Sequence, residues 1–378
     1  MGWHYRDLTA DTSSPAAISG SCAYVFDQEG TQHVDYAGGD GHIHELWWDA
    51  SGWHHNDLTN ASGAPVLSGS SRTNGPAGYV FAAQGSQHVV FVGEETEGGG
   101  HIHELWWKDD RWHHHDLTSA AGGPLAIAVP PGAYMFDSQG TQHVDYVASD
   151  GKIHELWWDD DGWHHHDLTS AAGAPAAVLL QSPAGYVLAG ASTQHVDYLG
   201  TDGFIHELES KNGNWRHNNL STLTDAPASL VSPTGYAFAS AGTQHVNYIG
   251  VDGHVHELWS DGDWHWDDLS VATATDGPGD GVISAYPFEA DCTRHVVYTN
   301  SLGRIHELWW DAGGWHHYDL SNTGAPLSDF APLTGYAFNA QRTQHVIYEE
   351  ILGLHVYELW WQALPTPTAE IPRTAVTR

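Results

Sequence analysis

A Glu-Leu pair recurs seven times along the chain, at intervals of 59, 51, 52, 50, 50 and 51 residues. Each pair lies among short segments in which apolar and polar residues alternate. A repeat near 50 residues built from such segments indicates one structural unit used seven times. The repeated glutamates are Glu45, Glu104, Glu155, Glu207, Glu257, Glu307 and Glu358.

The first copy contains four segments with the pattern of β-strands, at residues 21–26, 32–36, 42–48 and 53–58. Glycine-containing stretches separate them and favour tight turns between neighbouring strands. Four antiparallel strands in one repeat of this length are typical of a blade of a β-propeller. We therefore predict an all-β, seven-bladed β-propeller with four antiparallel strands per blade.

The two ends of the sequence predict how the ring closes. The seventh copy stops after its third strand, residues 357–361, and a matching fourth strand stands at residues 3–8. We expect this N-terminal strand to complete the last blade, because that removes an open sheet edge. The single propeller then spans residues 1–362. Residues 363–378 contain three prolines and no repeat pattern, which predicts a disordered tail or the stump of a linker.

The formal net charge of −35 argues against a nucleic acid as partner, because phosphates would be repelled. It argues equally against an anionic membrane surface. No apolar run approaches the ~20 residues that span a bilayer, and the first residues lack the basic and apolar regions of a signal peptide. We expect a soluble protein without a cofactor. Whether it is secreted or cytoplasmic, and its oligomeric state, stay open.

Comparing the seven copies within the chain separates what every blade shares from what varies. A tyrosine on the first strand recurs in each copy, and we expect it to pack near the central axis. The tyrosines are Tyr24, Tyr79, Tyr134, Tyr186, Tyr236, Tyr286 and Tyr336. A histidine on the second strand is equally regular. The histidines are His33, His88, His143, His195, His245, His295 and His345.

Two tryptophan positions recur as well. The fourth strand opens with Trp53, Trp112, Trp163, Trp215, Trp264, Trp315 and Trp3. The third strand closes with Trp48, Trp107, Trp158, Trp310 and Trp361. Ser210 and Ser260 replace this second tryptophan in copies four and five.

The spacing of Glu45 and Trp48 predicts where these side chains point. Residues three apart on a strand face opposite sides, so each cleft between blades should receive a Glu and a His from one blade and tryptophans from the next. A carboxylate opposite an aromatic plate suits a neutral sugar, whose hydroxyls donate to the acid while its C–H face stacks on the ring. The alternatives are tryptophans that only pack blades and a glutamate that only binds loop amides.

The repeat resembles the fungal fucose-specific lectins and related bacterial β-propeller lectins over residues 1–362. Blades in that family read roughly Arg-Val-Tyr, a turn ending in Asp-Gly, then Ile-x-Glu, Cys-Trp and Gly-Trp. This chain has His33-Val34-Asp35-Tyr36, Asp40-Gly41, Ile43-His44-Glu45, Trp47-Trp48 and Gly52-Trp53. The resemblance implies sugar sites between blades, formed by an Arg and a Glu of one blade and two Trp of the next.

Histidine stands in place of the family's arginine in every copy. Arginine is a permanently charged fork of donors, whereas a neutral histidine offers one donor and one acceptor. The resemblance therefore implies sugar binding without specifying fucose. We predict a multivalent lectin with up to seven interblade sites for glycans or free monosaccharides. In each site the Glu accepts from hydroxyls, the two Trp stack, and the His adds a hydrogen bond that varies with pH.

A histidine-rich metal site is one alternative, since His42 and His44 lie two apart on one strand. The first of the pair varies, which indicates a solvated hairpin residue rather than a ligand; its replacements are Lys152, Phe204, Arg304 and Leu354. The second is steadier and indicates a structural hydrogen-bonding residue, as His44, His103, His154, His206, His256 and His306, with Tyr357 in the last copy. We predict no metal ligands, but a metal-binding propeller stays open as an alternative.

An enzyme is a further alternative. Each blade repeats the same polar set, which suits several equivalent weak sites better than one active centre, and no nucleophile–base pair stands out. We therefore predict no catalytic residue. A scaffold for protein partners without sugar binding also stays open.

Overall fold

The chain forms seven four-stranded antiparallel sheets, which confirms the predicted seven-bladed β-propeller. The computed structural model describes residues 2–18, 20–67, 74–96, 99–329 and 332–362. The predicted tail at residues 363–378 lies outside the described part. In six blades the strands follow chain order from the axis outward, and in the seventh the outer strand comes from the N-terminus.

The strands of the first three blades are short and regular. Blade 1 contains β2 (Cys22–Phe26), β3 (Thr31–Ala37), β4 (Ile43–Asp49) and β5 (Gly52–Asp57). Blade 2 contains β6 (Ala77–Phe81), β7 (Ser86–Thr96), β8 (Gly99–Lys108) and β9 (Arg111–Asp116). Blade 3 contains β10 (Gly132–Phe136), β11 (Thr141–Val147), β12 (Ile153–Asp159) and β13 (Gly162–Asp167). The strand boundaries predicted for blade 1 each lie within one residue of those observed.

The remaining blades repeat this arrangement. Blade 4 contains β14 (Ala184–Leu188), β15 (Thr193–Leu199), β16 (Ile205–Lys211) and β17 (Asn214–Asn219). Blade 5 contains β18 (Thr234–Phe238), β19 (Thr243–Ile249), β20 (Val255–Ser260) and β21 (Trp264–Asp268). Blade 6 contains β22 (Ile283–Phe288), β23 (Thr293–Thr299), β24 (Ile305–Asp311) and β25 (Gly314–Asp319). Blade 7 contains β26 (Thr334–Phe338), β27 (Thr343–Glu349), β28 (Val356–Gln362) and β1 (Trp3–Asp7).

The ring closes through the pairing of β1 with β28. The two strands are antiparallel, with Trp3 opposite Trp361 and Asp7 opposite Tyr357. The first strand therefore supplies the outer edge of the blade that ends the chain. This confirms the closure expected from the sequence.

A short helix, which the sequence analysis did not predict, follows the fourth strand of each blade. The helices are α1 (Leu8–Thr12), α2 (Leu58–Ser62), α3 (Leu117–Ala121), α4 (Leu168–Ala172), α5 (Leu220–Thr224), α6 (Leu269–Thr273) and a 3₁₀ turn at Leu320–Thr323. Further 3₁₀ turns span Ala82–Gln84 and Glu289–Asp291. Helices of this length in the described residues are far too short to cross a membrane.

A recurring sequence, Asp-Leu-Thr in four copies and Asp-Leu-Ser or Asn-Leu-Ser in the other three, explains these helices. The Asp57 carboxylate accepts from the backbone N–H of Asn60 at 2.9 Å and so caps α2, which satisfies a donor that the helix leaves unpaired. The Thr59 hydroxyl accepts from the N–H of Ile43 at 2.8 Å. Each crossing is thereby tied to the third strand of its own blade.

In six of the seven blades a basic residue at the His42 position pairs with the capping aspartate. The position lies in a hairpin and is partly exposed, as predicted for His42, but the ion pair was not foreseen. His42 Nδ1 lies 2.9 Å from Asp57 Oδ2. Lys152 and Arg304 hold the equivalent position in blades 3 and 6, where they pair with Asp167 and Asp319. In blade 7 the position belongs to His355, 2.6 Å from Asp7 Oδ2, and not to Leu354 as the sequence comparison had it.

Apolar side chains fill the space between neighbouring blades. Val34 and Leu46 of blade 1 share one buried cluster with Ile347 and Val356 of blade 7. Near the axis, neighbouring blades approach so closely that only glycine fits at some positions. A Cβ added to Gly78 would lie 2.2 Å from Cε1 of the Tyr24 ring in the preceding blade, so a larger residue there would push the two blades apart.

Five blades contain a pair of hydrogen-bonded histidines, which confirms the structural role predicted for the second histidine of the pair. His44 Nδ1 lies 3.0 Å from His55 Nε2, and His44 Nε2 lies 3.1 Å from Asp40. The other pairs are His103–His114, His154–His165, His206–His217 and His306–His317. In blade 5 the Trp266 indole donates to His256 instead, at 3.1 Å.

Burial opposes charging of these rings. It lowers the pKa of His103 to about 4, and burial together with the neighbouring His44 lowers the pKa of His55. The unfolded chain takes up these protons below about pH 6.5. The contribution of each such histidine to stability is therefore complete above that pH and is lost as the pH falls.

We expect His55→Trp, which introduces the residue of blade 5, to reduce this acid sensitivity. The indole can donate to His44 as Trp266 does to His256, but it does not titrate. Urea unfolding at about pH 7 and about pH 5 should show a smaller loss of unfolding free energy in the variant than in the wild type. If the unfolding free energy falls equally in the two proteins, the His44–His55 pair does not contribute to the loss of stability in acid.

Candidate functional site

Each blade presents two different faces to its neighbours. On blade 1 the strand register places Asp35, Glu45 and Asn56 side by side, and likewise His33 and Trp47. We name this the leading face, since it meets blade 2. The opposite face of blade 1 meets blade 7, and we name it the trailing face. Strand register places Gln32, Trp48 and Trp53 side by side on this face. Glu45 and Trp48 thus point to opposite sides, as the spacing predicted.

A chain of hydrogen bonds repeats on the leading face of all seven blades. In blade 1, His33 Nδ1–H donates to Glu45 Oε1 at 2.8 Å, and the Thr31 hydroxyl donates to His33 Nε2 at 2.8 Å. An imidazole with its proton on Nδ1 satisfies both contacts. The His–Glu pairs of the other blades are 2.7–3.0 Å long. Both ring nitrogens of each histidine are therefore engaged within its own blade.

The glutamates of these chains are almost completely buried, with exposures of 0–4%. Burying a carboxylate is unfavourable unless it is hydrogen-bonded. Glu45 meets this requirement through side chains: His33, then Asn56 at 2.8 Å, then Gln87 of blade 2 at 3.2 Å. The alternative in which the glutamate binds loop amides does not describe this carboxylate.

The repeated tyrosine does more than pack near the axis. The Tyr24 ring stacks on His33 with centroids 5.2 Å apart. In blade 2 the Tyr79 hydroxyl, with its single proton, lies 2.8 Å from Gln142 Oε1 of the next blade and 3.1 Å from Glu104 Oε1. Burial raises the pKa of these tyrosines far above their usual range, so each hydroxyl keeps its proton and remains a donor.

Sequence reasoning missed a glutamine that forms a hydrogen bond across five of the clefts. It immediately precedes the histidine in six of seven copies, as Gln32, Gln87, Gln142, Gln194, Gln244 and Gln344, and Arg294 replaces it in the sixth. Gln87 reaches Glu45 of the preceding blade, and Gln344 reaches Tyr286 at 3.3 Å. Its regular recurrence was the signal that could have identified it.

We name each cleft by its glutamate. The Glu45 cleft lies between blades 1 and 2 and holds a cavity of about 530 Å³. Its walls include His33, Glu45 and Trp47 from one blade, and Trp107 and Trp112 from the next. The structure thus brings together one glutamate, one histidine and the two tryptophans that the sequence predicted to meet.

Two further clefts have the same walls. The Glu307 cleft holds a cavity of about 390 Å³, lined by His295 and Glu307 of blade 6 and by Trp3 and Trp361 of blade 7. The Glu358 cleft holds about 190 Å³, lined by His345 and Glu358 of blade 7 and by Trp48 and Trp53 of blade 1. The indoles are half-buried in these clefts, except that Trp112 is only 8% exposed.

A third indole, from the glutamate's own blade, also lines these three cavities and was missed by sequence reasoning. It precedes the Trp48 position, as Trp47, Trp309 and Trp360. Trp47 stacks on His54 with centroids 4.2 Å apart, which fixes the plane of the indole. The missed signal was the Trp-Trp doublet itself.

The clefts of the middle blades are poorer in aromatic rings. The strand register places Ser210 where the Glu155 cleft would have its second tryptophan. The Glu207 cleft has Ser260 at that position and Glu209 where Trp47 stands in blade 1. Of the three indoles that line the Glu45 cleft, the Glu207 cleft has an equivalent of only one, Trp264.

The residue opposite each glutamate on the outer strand varies and stands at the rim. Register places Asn56, His115, His166, Asn218, Asp267, Tyr318 and Arg6 at this position. Asn56 and Asn218 donate to their glutamates at 2.8 Å. The His–Glu pair at the floor of the clefts is therefore constant, while the residue at the rim differs from cleft to cleft.

Three blades place a second carboxyl beside the glutamate. Asp35, Asp145 and Asp197 are fully buried and stand opposite Glu45, Glu155 and Glu207. Burial raises the pKa of each aspartate well above its usual range, and the neighbouring glutamate adds to the rise. This rise disfavours the charged form of each of the three aspartates, because a second buried charge beside the glutamate would be poorly solvated.

In the described residues, His42 and His44 do not form a shared metal site. Their nitrogens contact different partners, Asp57 for one and His55 and Asp40 for the other. The described residues contain two groups whose ligand atoms lie within 4.8 Å of one another, Asp40–His42–Asp57 and Asp252–His256–Asp268. Lys152 occupies the His42 position in blade 3 and pairs with Asp167, so the contact that recurs at this position is with the capping aspartate rather than with a metal.

Comparison with known proteins yields matches in fold. No protein-family model matches the chain, and no curated protein matches it by sequence. Among solved structures, the Aleuria aurantia lectin, a six-bladed β-propeller, aligns with a TM-score of 0.54 and 17% identity over 82% of this chain and 99% of the lectin. That coverage fits superposition of six of the seven blades.

Two further lectins show the same likeness. AofleA from Arthrobotrys oligospora aligns with a TM-score of 0.55 and 14% identity over 84% of this chain and 89% of its own. SapL1 lectin, solved with α-methyl fucoside, aligns with a TM-score of 0.51 and 19% identity over 81% of this chain and 95% of its own. These likenesses establish that the chain shares the propeller fold of the lectins.

We expect Asp145→Asn, which introduces the residue that blade 5 carries as Asn247, to stabilise the protein at alkaline pH. Folding raises the pKa of the wild-type aspartate, whereas the aspartate of the unfolded chain ionises above about pH 4, so its contribution to stability falls as the pH rises. The gain in unfolding free energy should be on the order of 1 kcal/mol near pH 8 and should shrink toward pH 4.

Urea unfolding across this pH range measures the effect. Asp160→Asn, at an exposed turn of the same blade, is the matched control and should leave the pH dependence unchanged. A gain for Asp145→Asn that is independent of pH would contradict a pKa of Asp145 raised by burial.

Proposed function

We propose that this protein is a multivalent carbohydrate-binding protein with its sites in the clefts between blades. The observation that supports this is the repeated wall composition of the Glu45, Glu307 and Glu358 cavities. Each combines a buried carboxylate from one blade with two half-buried or buried indoles from the next. The likeness in fold to lectins solved with fucosides supports the same proposal.

The glutamate and the indoles bind different parts of the sugar. Glu45 accepts hydrogen bonds from the ligand's hydroxyls, because a carboxylate has more acceptor positions than its own neighbours use. Trp107 and Trp112 stack on the C–H face of the ring, and Trp47 closes the opposite wall. His33 and its equivalents orient the carboxylate, since both of their ring nitrogens are already engaged.

The proposed sites are unequal in strength. The Glu45 and Glu307 clefts retain all three indoles, whereas the Glu207 cleft retains one. Several weak sites around one ring bind a glycan-coated surface more tightly than any single site, because later contacts form at high effective concentration. Repetition of one polar set in every blade suits this binding function rather than catalysis.

Glu45→Gln tests the carboxylate directly. We expect it to lower binding of the Glu45 cleft to its sugar by about tenfold, because a charge-assisted acceptor becomes a neutral amide. Isothermal titration with monosaccharides selected by a glycan array should show one site fewer per chain, with the unfolding temperature retained.

Glu207→Gln is the matched control, because the same substitution then falls in a cleft that has only one of the three indoles. It should leave the measured number of sites unchanged. If both variants bind as the wild type does, or if the array shows no glycan at all, the proposed sites are wrong.

A further inference from the structure

One cleft is occupied by a side chain of the protein itself. In the Glu257 cleft, Arg294 stands where six other copies have glutamine. Its Nη1 donates to Glu257 Oε1 at 3.0 Å. The guanidinium carbon lies 4.7 Å from the ring centroid of Trp310 and 5.3 Å from that of Trp315. The guanidinium thus contacts the glutamate and both indoles that would form the wall of this site.

A second arginine approaches a cleft from the rim. Arg6 lies opposite Glu358, and its Nε is 3.4 Å from Glu358 Oε2. Its guanidinium carbon lies 4.4 Å from the centroid of Trp360. This cleft has the smallest of the three cavities described above, about 190 Å³. Two independent arginines therefore take the same kind of position, between a buried glutamate and an indole face.

These contacts show which chemistry the cleft favours. A carboxylate at the base and indole faces on the walls both attract a cation, the second through the negative face of the π system. The surroundings add to this preference, since Glu29, Asp57 and Asp110 stand around the Glu45 cavity. With a formal net charge of −35, the whole chain attracts cations and repels acidic sugars.

The glutamate also keeps an unused acceptor. Glu257 is 0% exposed, and its Oε2 has no hydrogen-bond partner among the described residues. In blades 1 and 4 the equivalent oxygen accepts from an asparagine at the rim. A ligand that carries both an ammonium group and hydroxyls can satisfy the two oxygens together, which a neutral sugar does with weaker donors.

We propose that the interblade clefts prefer amino sugars with an unacetylated, protonated amine, and that Arg294 is an internal occupant that closes the Glu257 cleft to such ligands. The inference rests on the proposed function and specifies its ligand. The ammonium group takes the place of the guanidinium at the carboxylate, while the pyranose ring lies against the indoles. Cavities of about 390 and 530 Å³ leave room for the ring as well as for the charge.

The first experiment compares two matched ligands, a glucosamine hexamer and the fully N-acetylated hexamer of the same backbone. Titration at about pH 6, where amines of this kind are protonated, should give at least about tenfold tighter binding of the glucosamine hexamer. This advantage should fall as salt is added, because screening weakens the charge–charge part of the interaction. Methylguanidinium should compete with the glucosamine hexamer.

The second experiment exchanges the residues that distinguish the clefts. Arg294→Gln introduces the glutamine of the other six copies and should raise the number of glucosamine sites by one. Gln87→Arg should close the Glu45 cleft and lower the number by one. The unfolding temperature of each variant should stay close to that of the wild type. A change in the number of binding sites then reflects a change in the cleft rather than loss of folding.

The outcomes separate the two proposals. Equal or tighter binding of the acetylated hexamer, with site numbers unchanged by both variants, overturns the preference for amines and leaves carbohydrate binding intact. Binding of methylguanidinium or arginine peptides with no binding of any sugar overturns the sugar ligand and the proposed function together. Tighter binding of the glucosamine hexamer with the two opposite changes in site number supports the inference.

Discussion

The buried glutamate between neighbouring blades is the interaction on which the rest of the structure depends. A carboxylate with almost no exposed surface must be hydrogen-bonded to be tolerated. The Thr–His–Glu chain supplies the first of its donors from within the blade. The next blade then adds a glutamine and its indoles. Each cleft is therefore oriented by a single blade and completed only when two blades meet.

The seven copies serve as a natural mutational series in one molecule. The Thr–His–Glu chain is kept in every blade, with serine for threonine in blade 2. Substitutions concentrate on the walls and the rim, as with Ser210, Glu209 and Tyr318. This distribution indicates that the buried chain maintains the geometry of the blade, while the outer positions are free to determine what each cleft accepts.

The sequence predicted the fold because the information was local and repeated. Alternation within one strand was enough to place Glu45 and Trp48 on opposite faces, and the unfinished last copy predicted the pairing of β1 with β28. The contact from Gln87 to Glu45 joins different blades, and no pattern within one copy reveals the angle between blades. The five-residue helices were missed because they are shorter than any periodic signal.

The same limits apply to the site. Trp47 precedes Trp48 in sequence but belongs to a different cleft, because neighbouring residues on a strand face opposite sides. The role of His42 became clear only when Lys152 and Arg304 were seen to pair with equivalent capping aspartates. The state of Asp35 depends on how completely the next blade covers it, which is a property of packing rather than of composition.

Closure by the first strand has a consequence for how this protein matures. Trp3 forms part of the wall of the Glu307 cleft, and Arg6 lies beside the Glu358 cleft. Both clefts combine residues of the N-terminal strand β1 with residues of blade 7. A nascent chain can build blades 1 to 6 in succession, yet these two pockets appear only when synthesis has reached β28. Occupancy of either pocket is thus a signature of a finished ring.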